Sequence, residues 1–133
     1  MEPFRTDIQV RFSDTDALGH LNNIAYALYA EQARVDLFNR VLPREGRGSV
    51  FVILAHIALD FLRQIRFGEA VYVMTRVSKL GRTSVTLDQE VYADDELAAK
   101  VRSVVVLFDF KAQQPTPLPE ALRAQLEPAK EPA

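Results

Sequence analysis

The chain has 133 residues, 48% hydrophobic and 26% charged, with a formal net charge of −2 and no cysteine, ordinary figures for a globular domain able to bury one core. They exclude a disordered, collagenous or disulfide-stapled chain, thiolate metal sites, a cysteine nucleophile and an electrostatic footprint for nucleic acid. No apolar run approaches ~18 residues and the N-terminus, MEPFRTDIQV, lacks a signal peptide's basic and apolar regions, so a cytoplasmic protein without membrane insertion is expected.

Residues 4–13 alternate, with Ile8, Val10 and Phe12 on one face, and predict a first strand. Helical spacing takes over at 23–42, where Ile24, Leu28, Val35, Phe38 and Leu42 form one stripe until Pro43 stops it. A helix of roughly 20 residues spans about 30 Å, enough to lie along a five-stranded sheet. Position 31 of the stripe is Glu31. It is either an i,i+3 partner of Arg34 or a carboxylate held near a buried site.

Four β-rich segments follow at 50–66, 69–79, 82–93 and 97–110, inside a stretch without proline between Pro43 and Pro115, as central strands need. On 50–66, Phe51, Ile53, Ala55, Ile57, Leu59 and Phe61 share one face, while Val52 and Leu54 accompany His56 and Asp60 on the other. The links at Gly68 and Gly81 are too short for parallel crossovers and predict an antiparallel meander. One helix covers one sheet face, so the second apolar face of 50–66 calls for at least a homodimer. Residues 120–126 predict a short second helix. The expected layout is α+β, a single domain over 1–127 with 128–133 as a frayed tail.

Several chemistries fail on spacing. Gly46-Arg47-Gly48-Ser49 does not match the nucleophile elbow G-x-S-x-G, and neither a phosphate loop nor a dinucleotide fingerprint is present. A calcium loop starting at Asp14 would put Leu18 and Ala25 where oxygens are required. His56 and Asp60 stand four strand residues apart, ~13 Å, and cannot touch directly. His56 therefore reads as structural or interfacial, and no metal site is expected.

The informative stretch is Ser13-Asp14-Thr15-Asp16-Ala17-Leu18-Gly19-His20-Leu21-Asn22-Asn23, which sets two carboxylates, an imidazole and two amides between a strand and the long helix. Asn22 or Asn23 would cap the helix. A helix N-terminus offers unpaired N–H groups and the positive dipole end, which can stabilise an oxyanion forming on a carbonyl while a nearby carboxylate attacks or activates water.

The string VRFSDTDALGHLNN, the helix carrying Tyr26 and Glu31-Gln32-Ala33-Arg34, and the segment DFLRQIRFGEAV at 60–71 resemble the hotdog-fold acyl-CoA thioesterases of the 4-hydroxybenzoyl-CoA thioesterase type, over roughly residues 5–112. The resemblance implies a long central helix wrapped by a five-stranded antiparallel sheet, a dimer or tetramer with active sites at the subunit interface, and Asp16 as catalytic carboxylate. It implies that the amides around Leu18 to Leu21 at the helix start polarise the thioester carbonyl, with Gly19, His20, Asn22, Asn23 and Glu31 as further substrate-binding candidates. Some relatives carry a histidine seven residues after the aspartate, where this chain has Asn23. Lys79, Arg82, Thr83 and Ser84 fall where the family contacts CoA. The activity so implied is hydrolysis of acyl-CoA to free acid and CoA without a further cofactor. The alternatives are a non-catalytic acyl-CoA or acyl-carrier binding module and a dehydratase or hydratase on the same fold.

Overall fold

The computed structural model describes residues 1–128; the tail expected at 128–133 lies, beyond Pro128, outside the described residues. Its elements are β1 (Phe4–Ile8), a 3₁₀ turn (Phe12–Asp14), α1 (Asn23–Val41), a one-turn α2 (Arg44–Arg47), β2 (Val50–Phe61), β3 (Val71–Leu80), β4 (Ser84–Ala93), β5 (Glu96–Asp109), the two-residue β6 (Gln114–Pro115) and α3 (Glu120–Leu126). All pairings are antiparallel, in the order β1-β3-β4-β5-β2, with β6 on the end of β5. The sheet curls around α1. This is the hotdog arrangement.

The meander expected for all four later strands holds for β3, β4 and β5 only. β2 leaves the sheet at Phe61 rather than 66, and the Leu62 and Arg63 amides donate to the Ala98 carbonyl. The nine residues 62–70 then carry the chain back to β3, which pairs with β1 on its other side. β2 is thus an edge strand beside β5, with a register shift between Leu54 and His56. Its Ile53, Leu54 and Phe61 are exposed. β1 is also shorter than its alternation suggests. It stops at Ile8, and Phe12 stands 77% exposed in the 3₁₀ turn, because Asp14 accepts the Arg11 amide and folds the chain back on itself.

The largest correction concerns α1. Of the predicted stripe only Phe38 is buried; Ile24, Leu28 and Val35 are exposed, and Leu42 is the half-buried C-cap. The helix turns Ala25, Tyr26, Tyr29, Ala30, Ala33, Arg34, Leu37 and Phe38 to the sheet. Small alanines let the helix backbone approach the strands, and the tyrosines satisfy their hydroxyls once buried. Glu31 consequently lies on the outward face. Its expected partner Arg34 is only 5% exposed and donates instead to Gln89 Oε1 at 3.3 Å. Gln89 in turn donates to the Ala30 carbonyl and Thr75 Oγ1 and accepts from Ser103. A polar hub therefore joins helix to sheet, and burial holds the Arg34 guanidinium below its ordinary range, partly offset by Glu31.

Two apolar clusters flank this hub. One gathers Ile8, Leu21, Tyr26, Tyr29, Ile65, Val71, Val91 and Ala93. The other joins Leu37, Phe38, Val85, Leu107 and the α3 residues Leu122 and Leu126. They mark the two ends of the sheet.

Candidate active site

At the first end, residues 14–22 form a narrow loop closed by an isolated Thr15–Leu21 bridge and by the Asn22 amide donating to the Asp14 carbonyl at 2.8 Å. Asp16 sits at its tip. Its Oδ1 accepts the Leu18 amide at 2.8 Å and the His20 amide at 3.1 Å. Its own amide donates to the His20 carbonyl, and its carbonyl accepts the Gly19 amide. Gly19 has φ +79°, the left-handed region that favours glycine, so this position lets the ring close. Two amides thus fix the carboxylate's orientation. Among the described residues nothing donates to its second oxygen, which faces outward from an exposed side chain.

This geometry corrects the expectation that the amides from Leu18 to Leu21 open the helix. All four are already paired: Leu18 and His20 to Asp16 Oδ1, Gly19 to the Asp16 carbonyl, and Leu21 to the Ile65 carbonyl at 2.6 Å. The helix begins at Asn23, and Asn22 caps it through Oδ1 and the Ile24 amide. The donors left at this helix end are the amide of Asn23, an N–H of the first turn, and the carboxamides of Asn22 and Asn23, both exposed.

The two aspartates of the loop differ sharply. Asp14 is buried and accepts the Arg11 amide at 3.0 Å, the Arg11 guanidinium at 3.3 Å and the Tyr29 hydroxyl at 2.7 Å. Burial pushes its carboxyl up, but these three donors together hold it below the usual carboxylate range. Burial and the hydrogen bond to Asp14 raise the Tyr29 phenol well above its usual value. Asp14 is an anchor, and Asp16 an open carboxylate.

The segment 62–67 backs the loop. Phe67 donates to the Gly19 carbonyl at 3.0 Å, and His20 bridges Arg66. Arg63 is held by Glu69 and Glu96, and its carbonyl accepts the Tyr26 hydroxyl. Phe12, Leu18, Ile24, Leu62 and Phe67 surround the loop as exposed apolar side chains, Leu18 the most at 79%. Tyr29, Asp14 and Arg11 were not singled out as a group from the sequence. The available signal was the pair Tyr26 and Tyr29, about one helical turn apart, the first of them four residues after the cap Asn22.

Lys79, Arg82, Thr83 and Ser84 lie elsewhere. Lys79 lies near the end of β3, Arg82 and Thr83 are in the β3–β4 turn and Ser84 opens β4, all at the opposite end, about 30 Å along the ten residues of β3 at ~3.3 Å per residue. Contacts to its main chain clamp that turn: the Arg82 carbonyl accepts the Leu118 amide, the Thr83 carbonyl accepts the Leu107 amide, and the Gly81 carbonyl accepts the Arg123 guanidinium. The Lys79 and Arg82 side chains stay exposed. Within one chain, then, the structure brings together Asp16, Gly19, His20, Asn22 and Asn23, leaves Glu31 on the outward face of α1, and keeps the basic turn apart. A depression of about 500 Å³ on the outer sheet face, among Arg76, Asp88, Glu90, Lys100 and Arg102, contains none of these residues.

The sequence profile of the Thioesterase-like superfamily matches residues 10–126. The chain belongs to this superfamily. It is 38% identical to a thioesterase from Thermus thermophilus solved with coenzyme A and zinc, with a TM-score of 0.81 over 92% of this chain and 96% of that one. A predicted thioesterase from Bacillus stearothermophilus superposes with a TM-score of 0.87 at 31% identity, over 98% and 99% of the two chains. In sequence, the chain is 35% identical to the acyl-CoA thioesterase YbgC of Helicobacter pylori over 86 residues, 63% of each chain. It is 31% identical to YsmA of Bacillus subtilis over 84 residues, 63% of this chain and 57% of that one. The alignments thus span somewhat under two thirds of these curated relatives. No helix among the described residues is long and apolar enough to cross a membrane.

Proposed function

We propose that this thioesterase-family protein hydrolyses acyl-CoA thioesters in the cytoplasm, with Asp16 as the reacting carboxylate. The supporting observation is a carboxylate fixed through one oxygen by two amides, with its other oxygen open, beside the N-terminus of a 19-residue helix. In this reading Asp16 either attacks the thioester carbonyl or takes a proton from the attacking water. The carbonyl oxygen becomes an oxyanion facing the Asn23 amide and the positive end of α1, helped by the carboxamides of Asn22 and Asn23. The C–S bond then breaks, the sulfur leaves as the CoA thiolate and is protonated, and water supplies the oxygen of the free acid. No cofactor is needed. Gly19 and His20 shape the loop that the thioester approaches.

The basic turn enters through a second copy. The end of β2 at Phe61 lies beside the Asp16 loop, and its start at Val50 lies in the cluster that holds the β3–β4 turn. If two copies pair antiparallel along the free edges of β2, one chain's Asp16 end meets the partner's turn end. CoA held by Lys79, Arg82, Thr83 and Ser84 of one subunit would then present its thioester to Asp16 of the other. Such pairing also covers the exposed apolar side chains of β2, an edge that would otherwise invite aggregation. Glu31, on the outward side of α1, would face the seam.

A panel of CoA thioesters of varied acyl group, followed by release of free thiol, tests the reading and ranks substrates by kcat/KM. Turnover with the homo-oligomer seen by light scattering supports it. Binding of CoA esters without thiol release would identify a binding module, and a monomer at micromolar concentration would remove the shared site.

A further inference from the structure

We infer that Tyr26 and Tyr29, one turn apart on the buried side of α1, are positioning residues that hold the Asp16 loop from its two flanks; this rests on Asp16 carrying the reaction. The Tyr29 hydroxyl donates to Asp14 Oδ2 at 2.7 Å. The same residue accepts the Asn22 amide on its carbonyl, closing the loop at its base. The Tyr26 hydroxyl works on the other flank. It donates to the Arg63 carbonyl at 3.0 Å and accepts the Ile65 amide at 3.1 Å. Ile65 then accepts the Leu21 amide on its carbonyl at 2.6 Å, and Phe67 donates to the Gly19 carbonyl at 3.0 Å.

Each phenol thus holds a residue, Asp14 or Ile65, that in turn pairs with the base of the loop at Asn22 or Leu21. Both tyrosines are buried, so deleting a hydroxyl leaves Asp14 short of a donor or the Ile65 amide without an acceptor. The loop would relax to recover a partner. A reacting group displaced by about 1 Å can lose up to ~10²-fold in rate without any change in what binds the substrate. Neither hydroxyl bonds Asp16 itself, which separates this role from a chemical one.

The test uses Tyr29→Phe and Tyr26→Phe in the full chain, with Leu87→Val in the opposite half of the core as a control for general destabilisation. Steady-state kinetics on a CoA ester should show kcat down about tenfold in each tyrosine variant and KM within about twofold, the split expected of a lost transition-state alignment. Native-state amide exchange should show the Leu18 and His20 amides opening at least about tenfold faster, with β4 and β5 amides unchanged. Leu87→Val should lower the melting temperature without either signature. Unchanged kcat and unchanged loop exchange in the tyrosine variants overturn the assignment, as does an equal kcat loss in Leu87→Val. Asp16→Asn, run alongside, keeps the two readings distinct. If that variant is inactive while both tyrosine variants match wild type, the positioning role alone is wrong; if it turns over normally, the reading beneath it is wrong.

Discussion

The two ends of the sheet are built by different means. At the Asp16 end, side chains do the holding: Asp14, Tyr29, Tyr26 and the Arg63–Glu69 pair tie loops that secondary structure alone would leave loose. At the Arg82 end, backbone amides from β5 and the segment before α3, joined by the Arg123 guanidinium, clamp the main chain of a tight turn, and the Lys79 and Arg82 side chains stay exposed. The first design fixes one carboxylate in one orientation, at the cost of several buried polar contacts. The second fixes where long cationic side chains start and leaves where they reach to a ligand. Chemistry needs the former, and binding of a mobile polyanion is served by the latter. About 30 Å of β3 separates them, so in the function proposed above each chain would supply two half-sites.

The sharpest break of this division is Asp16→Asn. It keeps the shape and much of the hydrogen bonding to Leu18 and His20 but supplies neither base nor nucleophile, so kcat should fall at least ~10²-fold, the lower range for a lost general base. KM should change little, and a thermal melt should show the fold intact. Turnover within a few-fold of wild type would reduce Asp16 to a loop residue.

Arg82→Ala should do the converse at the other end. The loss of one charged contact to a phosphate should raise KM for CoA esters about tenfold with kcat nearly unchanged. The effect should shrink at high salt, because both partners are exposed. The two variants together test whether the half-sites belong to different chains. Mixed and allowed to exchange subunits, Asp16→Asn and Arg82→Ala chains form heterodimers in which one site is doubly altered and the other is wild type. About one site in four should then regain the wild-type KM. If the mixture shows only the Arg82→Ala component, both groups serve the same chain and the antiparallel pairing is wrong.

How much of this was legible follows from the same contrast. The strands β3, β4 and β5 were readable because alternation and short links leave one pairing, and Glu120–Leu126 matched its predicted bounds. The partner of β2 was not readable, since nothing in a run apolar on both faces says which edge it joins. The face of α1 was misassigned for a physical reason. Aliphatic residues at a 3.6-residue spacing mark a stripe, but here the alanine and tyrosine side packs on the sheet and Ile24, Leu28 and Val35 point away. The loop motif around Asp16 was legible as a motif. That its amides fold back onto the aspartate was not, because the loop depends on a positive φ at Gly19 and on ties to Ile65 and Phe67, residues far along the chain.

The smallest expected effect concerns acid stability, and it separates the two ends without any substrate. Asp14 at one end and Asp109 at the other both have carboxyls held below their ordinary value of 3.8. For Asp14, burial opposes and the donors from Arg11 and Tyr29 prevail; for Asp109, the Ser49 hydroxyl leads, joined by the Ala112 and Lys111 amides. A carboxyl whose folded value lies below its unfolded one binds fewer protons folded than unfolded. The stability it contributes is therefore complete above the unfolded value and is lost as pH falls through the folded one. Both groups should tilt the stability curve only below 3.8. They should not tilt it equally. Asp14 is buried, so its protonation disturbs contacts less screened by water, whereas Asp109 is half-buried beside exposed Phe110 and Lys111, where solvent screens more of the same change. Denaturant melts between pH 6 and pH 2 should show Asp109→Asn losing stability only slightly less steeply than wild type. Asp14→Asn should start less stable at pH 6 and descend with a visibly shallower slope below 3.8. Equal slopes in all three proteins would mean that Asp14 does not enter folding as the ionised anchor of its loop, and that the Asp16 end is held by its backbone contacts as the Arg82 end is.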